Sequence, residues 1–227
     1  MFTSRINEYL KIAYVKILLV SATRKELHPV KKAIRASFPQ TNGIEFYFLS
    51  VGIGLRNSAM VMTNNLSISV RYDLAINFGL AGSLSPQLNV GDVFFPTSFH
   101  AFQNGAIKSV NPINTSNRVS DGLPETWIRG GLFSSEKPIV STEQKSSVVS
   151  ASGALAVDME AFALLESCRR ADIPFISLKI ISDQADSTAI WTFFRELNKN
   201  LAVLSVETMR LIRHILKQTE SIYGRSG

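Results

Sequence analysis

The sequence predicts an α/β protein, a three-layer α/β/α arrangement around a twisted, mostly parallel central sheet. Three observations carry that expectation. Short runs that are apolar throughout, at 15–22, 74–78 and 175–182, are what a sheet covered on both faces requires, because neither side of such a strand meets water. These runs alternate with stretches of helical character. The 227 residues contain no Pro/Gly/Ser-rich linker, internal repeat or low-complexity block, so one domain can bury the whole core.

Taken in order, VKILLVSA (15–22) reads as a buried strand and ELHPVKKAI (26–34) as the helix after it. IEFYFLSVGIG (44–54) runs into the helical LRNSAMVMTNNLSI (55–68), and DLAINFGLAG (73–82) is a strand ending in a glycine turn. SPQLNVGDVFFP (85–96) is rich in turn residues, and 101–133 is polar enough that we expect little regular structure there. After AVDME a helix is clear: Ala161, Leu164, Leu165 and Cys168 share one face, while Glu166, Arg169 and Arg170 share the opposite one. IPFISLKIIS (173–182) is a further buried strand, and an amphipathic helix is expected over roughly 193–217.

Composition excludes several function classes. The balance of 24 Lys+Arg against 18 Asp+Glu gives a net charge of +6, but the basic residues are scattered at helical spacings, as in Arg210, Arg213 and Lys217. That is a solvated helix face, not the concentrated stripe that binds nucleic acid. Cys168 is the single cysteine, which rules out an internal disulfide framework and suits a reducing, cytoplasmic setting. The apolar stretch 12–22 is interrupted by Lys16 and too short to span a bilayer, so no membrane association is expected. GIG at 52–54 lacks the third glycine of a dinucleotide fingerprint, Asn57 standing in its place, and no cofactor is expected. No serine lies in a G-x-S-x-G elbow, and His28, His100 and His214 are isolated from one another and from Cys168, so neither a hydrolase triad nor a metal site is expected.

Ligands of open α/β sheets bind beyond the carboxyl ends of the strands, where loops converge and helix N-termini point. Candidate chemistry stands at several such ends: Glu26 shortly after the first strand, the GLAG turn (79–82), Asp183 after FISLKIIS, and Glu160 at the start of its helix. Each acid taken alone is equally well a helix-capping or first-turn carboxylate. Glycines at 79 and 82 let backbone approach a ligand with no Cβ in the way.

The segments SATRKEL (21–27), VGIG (51–54), INFGLAGSLSPQLNVGDVFF (76–95), SEKPIVSTEQ (135–144), AVDMEAFAL (156–164) and ISDQAD (181–186) occur in the order and approximate spacing of the purine nucleoside phosphorylase and nucleosidase superfamily. The chain most resembles its hydrolytic branch, the methylthioadenosine/S-adenosylhomocysteine nucleosidases, with futalosine hydrolases nearby. The resemblance spans about residues 15–215. It implies a nucleoside phosphorylase-like fold and cleavage of an N-glycosidic bond in a purine-type nucleoside. Asp183 then matches the acid that protonates or hydrogen-bonds the departing base, and Glu26 the carboxylate that directs water. Glu160 matches the acceptor of ribose hydroxyls, facing the positive charge of an oxocarbenium-like transition state, with Met159 packed on the sugar. Gly79, Leu80, Pro138, Ile139 and Ser182 match substrate-lining positions, and Asp158 is assigned a supporting role. If Asp183 is not the acid, Asp186 is the next candidate.

Departures from the pattern refine the expectation. Leu80 stands where nucleosidases usually carry serine, and an apolar side chain cannot hold an oxyanion, so water is favoured over phosphate as nucleophile. A phosphorylase, with Arg24 or Arg56 contacting phosphate, stays open, as does a non-catalytic nucleoside-binding protein. Pro138 replaces the stacking phenylalanine typical of adenine-specific members, which leaves the base undetermined. The superfamily pairs its subunits, and VFFPTSFHAF (93–102) offers Phe94, Phe95, Phe99 and Phe102 to a homodimer contact or to the core. The expected organisation is an N-terminal extension (1–14), one nucleosidase/phosphorylase-like domain (15–217) and a C-terminal tail (218–227).

Overall fold

Eight strands join in one sheet in the computed structural model, which describes residues 15–39, 43–67, 70–112, 119 and 121–223. The expected extension at 1–14 and positions 224–227 lie outside the described residues. In chain order the elements are β1 (Val15–Ser21), α1 (Arg24–Ser37), β2 (Ile44–Ser50), α2 (Leu55–Leu66), β3 (Leu74–Ser83), β4 (Val93–Gln103), β5 (Ala106–Val110) and β6 (Ile128–Ser134). They continue with α3 (Thr142–Ser152), β7 (Ala156–Asp158), α4 (Ala161–Arg170), β8 (Phe175–Asp183) and α5 (Ala189–Tyr223).

The three strands expected at the centre are neighbours: β1 pairs in parallel with β3, and β3 in parallel with β8. Their predominantly apolar character follows from the layers on either side. In β1, Ile17 and Leu19 face one core with Val30 and Ile34 of α1 and Leu204, Leu211 and Ile212 of α5. Leu18 and Val20 face the other core, with Met62 of α2 and Ala161, Leu164, Leu165 and Cys168 of α4. Side chains alternate across a strand, so a sheet sandwiched between helices needs apolar residues at every position.

Beyond this parallel part the sheet curls. β8 pairs antiparallel with β4, β4 parallel with β6, β6 parallel with β7, and β7 antiparallel with β3. The five strands β3, β8, β4, β6 and β7 therefore close a ring, with β2 and β1 extending from one side and β5 hairpinned onto β4. The sequence pattern did not reveal this closure, because a paired edge and a free edge carry the same apolar alternation.

Two expectations are corrected and one alternative is decided. The stretch 101–133 holds the end of β4, all of β5 and most of β6; glycine pairs such as Gly130–Gly131 masked β6, which tolerates them because Leu155 and His100 pack where a Cβ would stand. Phe94, Phe95 and Phe99 are core residues of this chain, and only Phe102 is open to solvent, at 48%. The last helix begins at Ala189 and runs on to Tyr223, into the expected tail.

His100 is buried in the wall formed by β4, β5 and β6. Its ring nitrogens meet Ser98 Oγ at 3.0 Å and Ser109 Oγ at 2.8 Å. Burial pushes its pKa below the ordinary imidazole value. The unfolded chain thus takes up this proton first, and stability contributed by neutral His100 is present above about pH 6.5 and lost as pH falls through that value. Thermal melts from pH 7.5 to 5.5 should show a decline in melting temperature that is shallower in His100→Gln. Parallel profiles for the two proteins would remove His100 from the acid sensitivity.

Candidate functional site

A cavity of about 340 Å³ opens at the carboxyl ends of β1, β3 and β8. Its floor is Leu80, Ala81 and Gly82 of β3. One wall is Ala22, Thr23 and Glu26, at the start of α1; a second is Lys137 to Val140, before α3; a third is Val157 to Glu160, between β7 and α4; Ser182 and Asp183 end β8 beside them. Ile53 from the turn before α2 and Ala189, Ile190, Phe193 and Phe194 from the first turns of α5 form an apolar lip.

Each acid is placed by its own local chemistry. Glu26 closes a capping box: Glu26 Oε2 accepts from Thr23 N at 2.8 Å and Thr23 Oγ1 at 2.9 Å, and Thr23 Oγ1 accepts in return from Glu26 N. Its other oxygen, Oε1, reaches across to accept from Leu80 N at 3.2 Å. Capping and cavity-lining are therefore one arrangement, not alternatives.

Asp183 owes its position to a bulge. Ala81 pairs with Ile181 but Gly82 pairs with Asp183, leaving Ser182 as the extra residue. A bulge re-aims the strand at this point. Ser182 Oγ donates to Asp183 Oδ2 at 2.7 Å, and Ala185 N donates to Oδ1 at 2.9 Å. Asp186 is spent elsewhere: it accepts from Thr188 N and Oγ1 at the start of α5, which holds its carboxyl below the usual range, and it does not line the cavity.

Glu160 sits at the N-cap of α4 yet makes no capping bond with its side chain. Asp158 does that work. Asp158 Oδ2 accepts from Ala161 N at 3.0 Å and from Lys179 Nζ at 2.8 Å, and Oδ1 accepts from Ser134 Oγ at 2.5 Å, while Ser134 Oγ accepts from Phe162 N at 2.9 Å. Glu160 is left free to point into the cavity, where Oε1 accepts from Gly54 N at 2.9 Å. Burial, then the neighbouring Asp158 charge, push its pKa from 4.5 up to about 7, against the opposing pull of Lys179.

Eight of the nine expected site residues, Glu26, Leu80, Pro138, Ile139, Met159, Glu160, Ser182 and Asp183, line this one cavity. Gly79 lies just beneath: a Cβ there would stand 3.0 Å from Glu26 Oε1, and one at Gly82 only 2.8 Å from Asp183 Oδ1. Both acids lie against β3 because these two positions carry no side chain. Lys179 escaped the sequence reading. It is opposite Gly79 on β8, its side chain 2% exposed, and it pairs with Asp158. The signal was present as a lysine inside an apolar run, since a charge buried there needs a partner.

A family model described as the phosphorylase superfamily matches residues 15–217. The chain belongs to the phosphorylase superfamily. Among named superfamily members, a 5′-methylthioadenosine/S-adenosylhomocysteine nucleosidase of Staphylococcus aureus (strain MRSA252) is 31% identical over 179 residues, covering 71% of this chain and 78% of its own. That of Buchnera aphidicola subsp. Schizaphis graminum is 27% identical, covering 91% and 98%. Among solved structures, the Helicobacter pylori nucleosidase of that name in complex with butyl-thio-DADMe-Immucillin-A superposes with a TM-score of 0.76 at 20% identity, over 88% of this chain and 98% of that one. Futalosine hydrolase of Helicobacter pylori gives 0.76 at 19%, over 90% and 98%. These likenesses confirm the nucleoside phosphorylase-like fold.

The raised pKa of Glu160 has a measurable consequence for stability. The folded state holds this proton more tightly than the unfolded chain, so stability declines as pH rises from 4.5 towards 7, where the buried group ionises. Glu160→Gln should therefore melt above wild type at pH 8, with the difference shrinking towards pH 4.5. Equal melting temperatures at pH 8 would show that Glu160 ionises without penalty.

Proposed function

We propose that the chain is a nucleosidase that hydrolyses the N-glycosidic bond of a purine-type nucleoside. The observation that carries this reading is the electrostatic character of the cavity: Glu26, Glu160 and Asp183 line it over an apolar floor at Leu80, Asp158 is offset by its pairing with Lys179, and the cation in the described lining, Lys137, is exposed at the mouth. Such a site favours a sugar that becomes positively charged and disfavours an incoming phosphate dianion. Arg24 and Arg56 give phosphate no support, because neither lines the cavity.

In this reading the base lies between the Pro138–Ile139 wall and Asp183, which protonates or hydrogen-bonds it as it departs. The ribose sits on Met159 with its hydroxyls on Glu160, whose ionised form stabilises the oxocarbenium-like sugar. Glu26 orients the attacking water. Placing base and ribose in this way leaves Ile53, Ile190, Phe193 and Phe194 for the 5′ substituent, an apolar surface that suits a thioether or another hydrophobic group. The names of the relatives point to the same kinds of substrate: 5′-methylthioadenosine, S-adenosylhomocysteine or futalosine.

Two further assignments accompany this reading. The absence of a membrane-crossing helix among the described residues and a buried, lone Cys168 support a cytoplasmic setting. Exposed Ile53, Met60 and Phe102 on the α2 side of the cavity support a homodimer through that face. Light scattering at micromolar concentration should give twice the chain mass; a monomer there removes the dimer.

The test of the reaction is a panel of 5′-methylthioadenosine, S-adenosylhomocysteine, futalosine and inosine, with and without phosphate. Free base and free sugar are expected, at a rate indifferent to phosphate; a sugar 1-phosphate product would make the enzyme a phosphorylase. Asp183→Asn should lower single-turnover base release roughly 10²–10⁴-fold, the usual contribution of a general acid, while affinity for an unreactive nucleoside analogue persists. A variant retaining more than about a tenth of wild-type turnover would displace Asp183 from this role.

A further inference from the structure

Asp183 is the last residue of β8, paired with Gly82, and the loop that follows it enters α5 only at Ala189. A carboxylate where a strand gives way to a loop is a precise acid only if that loop is held. Three ties hold it: the bonds from Ser182 Oγ and Ala185 N to the carboxylate itself, a bond from Gln184 Nε2 to Leu88 O at 3.1 Å, and a bond from Lys145 Nζ to Gln184 O at 2.7 Å. The first belongs to the acid and the second to a neighbouring turn. The third comes from α3, a separate element that also packs Val148 against Val157 and Ala185, but whose polar hold on the loop is this ammonium.

Lys145 is half-buried, and its charge interacts favourably with both Asp183 and Asp186. It lies outside the cavity lining. A solvent-facing lysine of a short helix would leave its ammonium in water; this one gives up part of its hydration to hold the carbonyl next to the acid. A charge-assisted bond of this length is among the stronger polar contacts.

We propose that Lys145 is a positioning residue for the leaving-group acid, fixing the Asp183 loop by clamping the Gln184 carbonyl from α3. The inference rests on the nucleosidase reading and on Asp183 as the acid. Removing the clamp lets the carboxylate drift relative to the base, and displacement of a reacting group by about 1 Å costs on the order of 10²-fold in rate. The loss belongs to the catalytic step, because base and ribose still meet an intact cavity.

The experiment compares Lys145→Met, Lys145→Arg, Asp183→Asn and the Lys145→Met/Asp183→Asn double variant on the substrate that wild type turns over fastest. Lys145→Met should lower kcat tenfold to a hundredfold, on the order expected for a misplaced group, with KM little changed. Lys145→Arg, which keeps the charge and the reach, should recover most of it. In the Asp183→Asn background the methionine should have almost no further effect, since a residue that acts only through Asp183 has nothing left to position. Equal, multiplicative losses in both backgrounds would mark a general structural role and overturn the proposal, as would unchanged kcat in Lys145→Met beside an inactive Asp183→Asn. If Asp183→Asn itself stays active, the acid is misassigned and the clamp falls with it. Melting temperatures of all four proteins distinguish a misfolded variant from a misaligned one, and Lys145→Ala, which also lacks the donor and suits a helix, repeats the comparison if methionine unfolds the chain.

Discussion

Asp158 is the residue on which the site and the ring of strands both depend. Its two oxygens collect a hydroxyl from β6, a main-chain N–H from the first turn of α4 and an ammonium from β8, in a place that water scarcely reaches. Each of those partners is itself buried, so water cannot stand in for the carboxylate. A buried ion pair is weak evidence for stability in itself, since desolvation consumes most of the attraction, yet it is demanding about geometry: a missing partner leaves a bare charge in the interior. That demand fixes β6, β7, β8 and α4 relative to one another.

The same arrangement explains why two acids occur only two residues apart. By capping α4, Asp158 releases Glu160 from the task that an acid at its position would ordinarily perform. Glu160 then faces the cavity with a single hydrogen bond from Gly54, poorly hydrated and beside another carboxylate. The fold thus supports a destabilised group where a developing positive charge would be welcome, and the support comes from a neighbour whose own needs are fully met. Strain of this kind is expected at sites of chemistry and is tolerated because the surroundings over-determine it.

Much of this was legible in the sequence, for physical reasons that can be named. β1, β3 and β8 declared themselves because a strand between two helical layers has no polar face, and the two cores separate odd from even residues of β1 without exception from Ile17 to Val20. The acids declared themselves as a constellation at strand ends. What stayed hidden depended on partners remote in sequence. Lys179 reads as an interruption until Asp158 is known to stand beside it, and β6 reads as a loop until Leu155 and His100 are seen to occupy the space above its glycines. The phenylalanines of β4 could not be divided between core and surface from their spacing, because β4 meets three other strands and offers several directions in which to bury them.

The floor of the cavity has a consequence for how such a site can diversify. Gly79 and Gly82 bring β3 so close to Glu26 and Asp183 that even a methyl group at either position would press on a carboxylate. No new contact to a ligand can be introduced from these two positions without disturbing the acids. Variation in what the pocket accepts is thereby left to Leu80 between them, to the stretch from Lys137 to Val140 and to the first turns of α5, where Ile190 and Phe194 are already open to solvent. Most of the lining that can vary thus lies away from the strand ends that hold the acids, so the shape of the mouth can be altered by substitution while the carboxylates stay where they are.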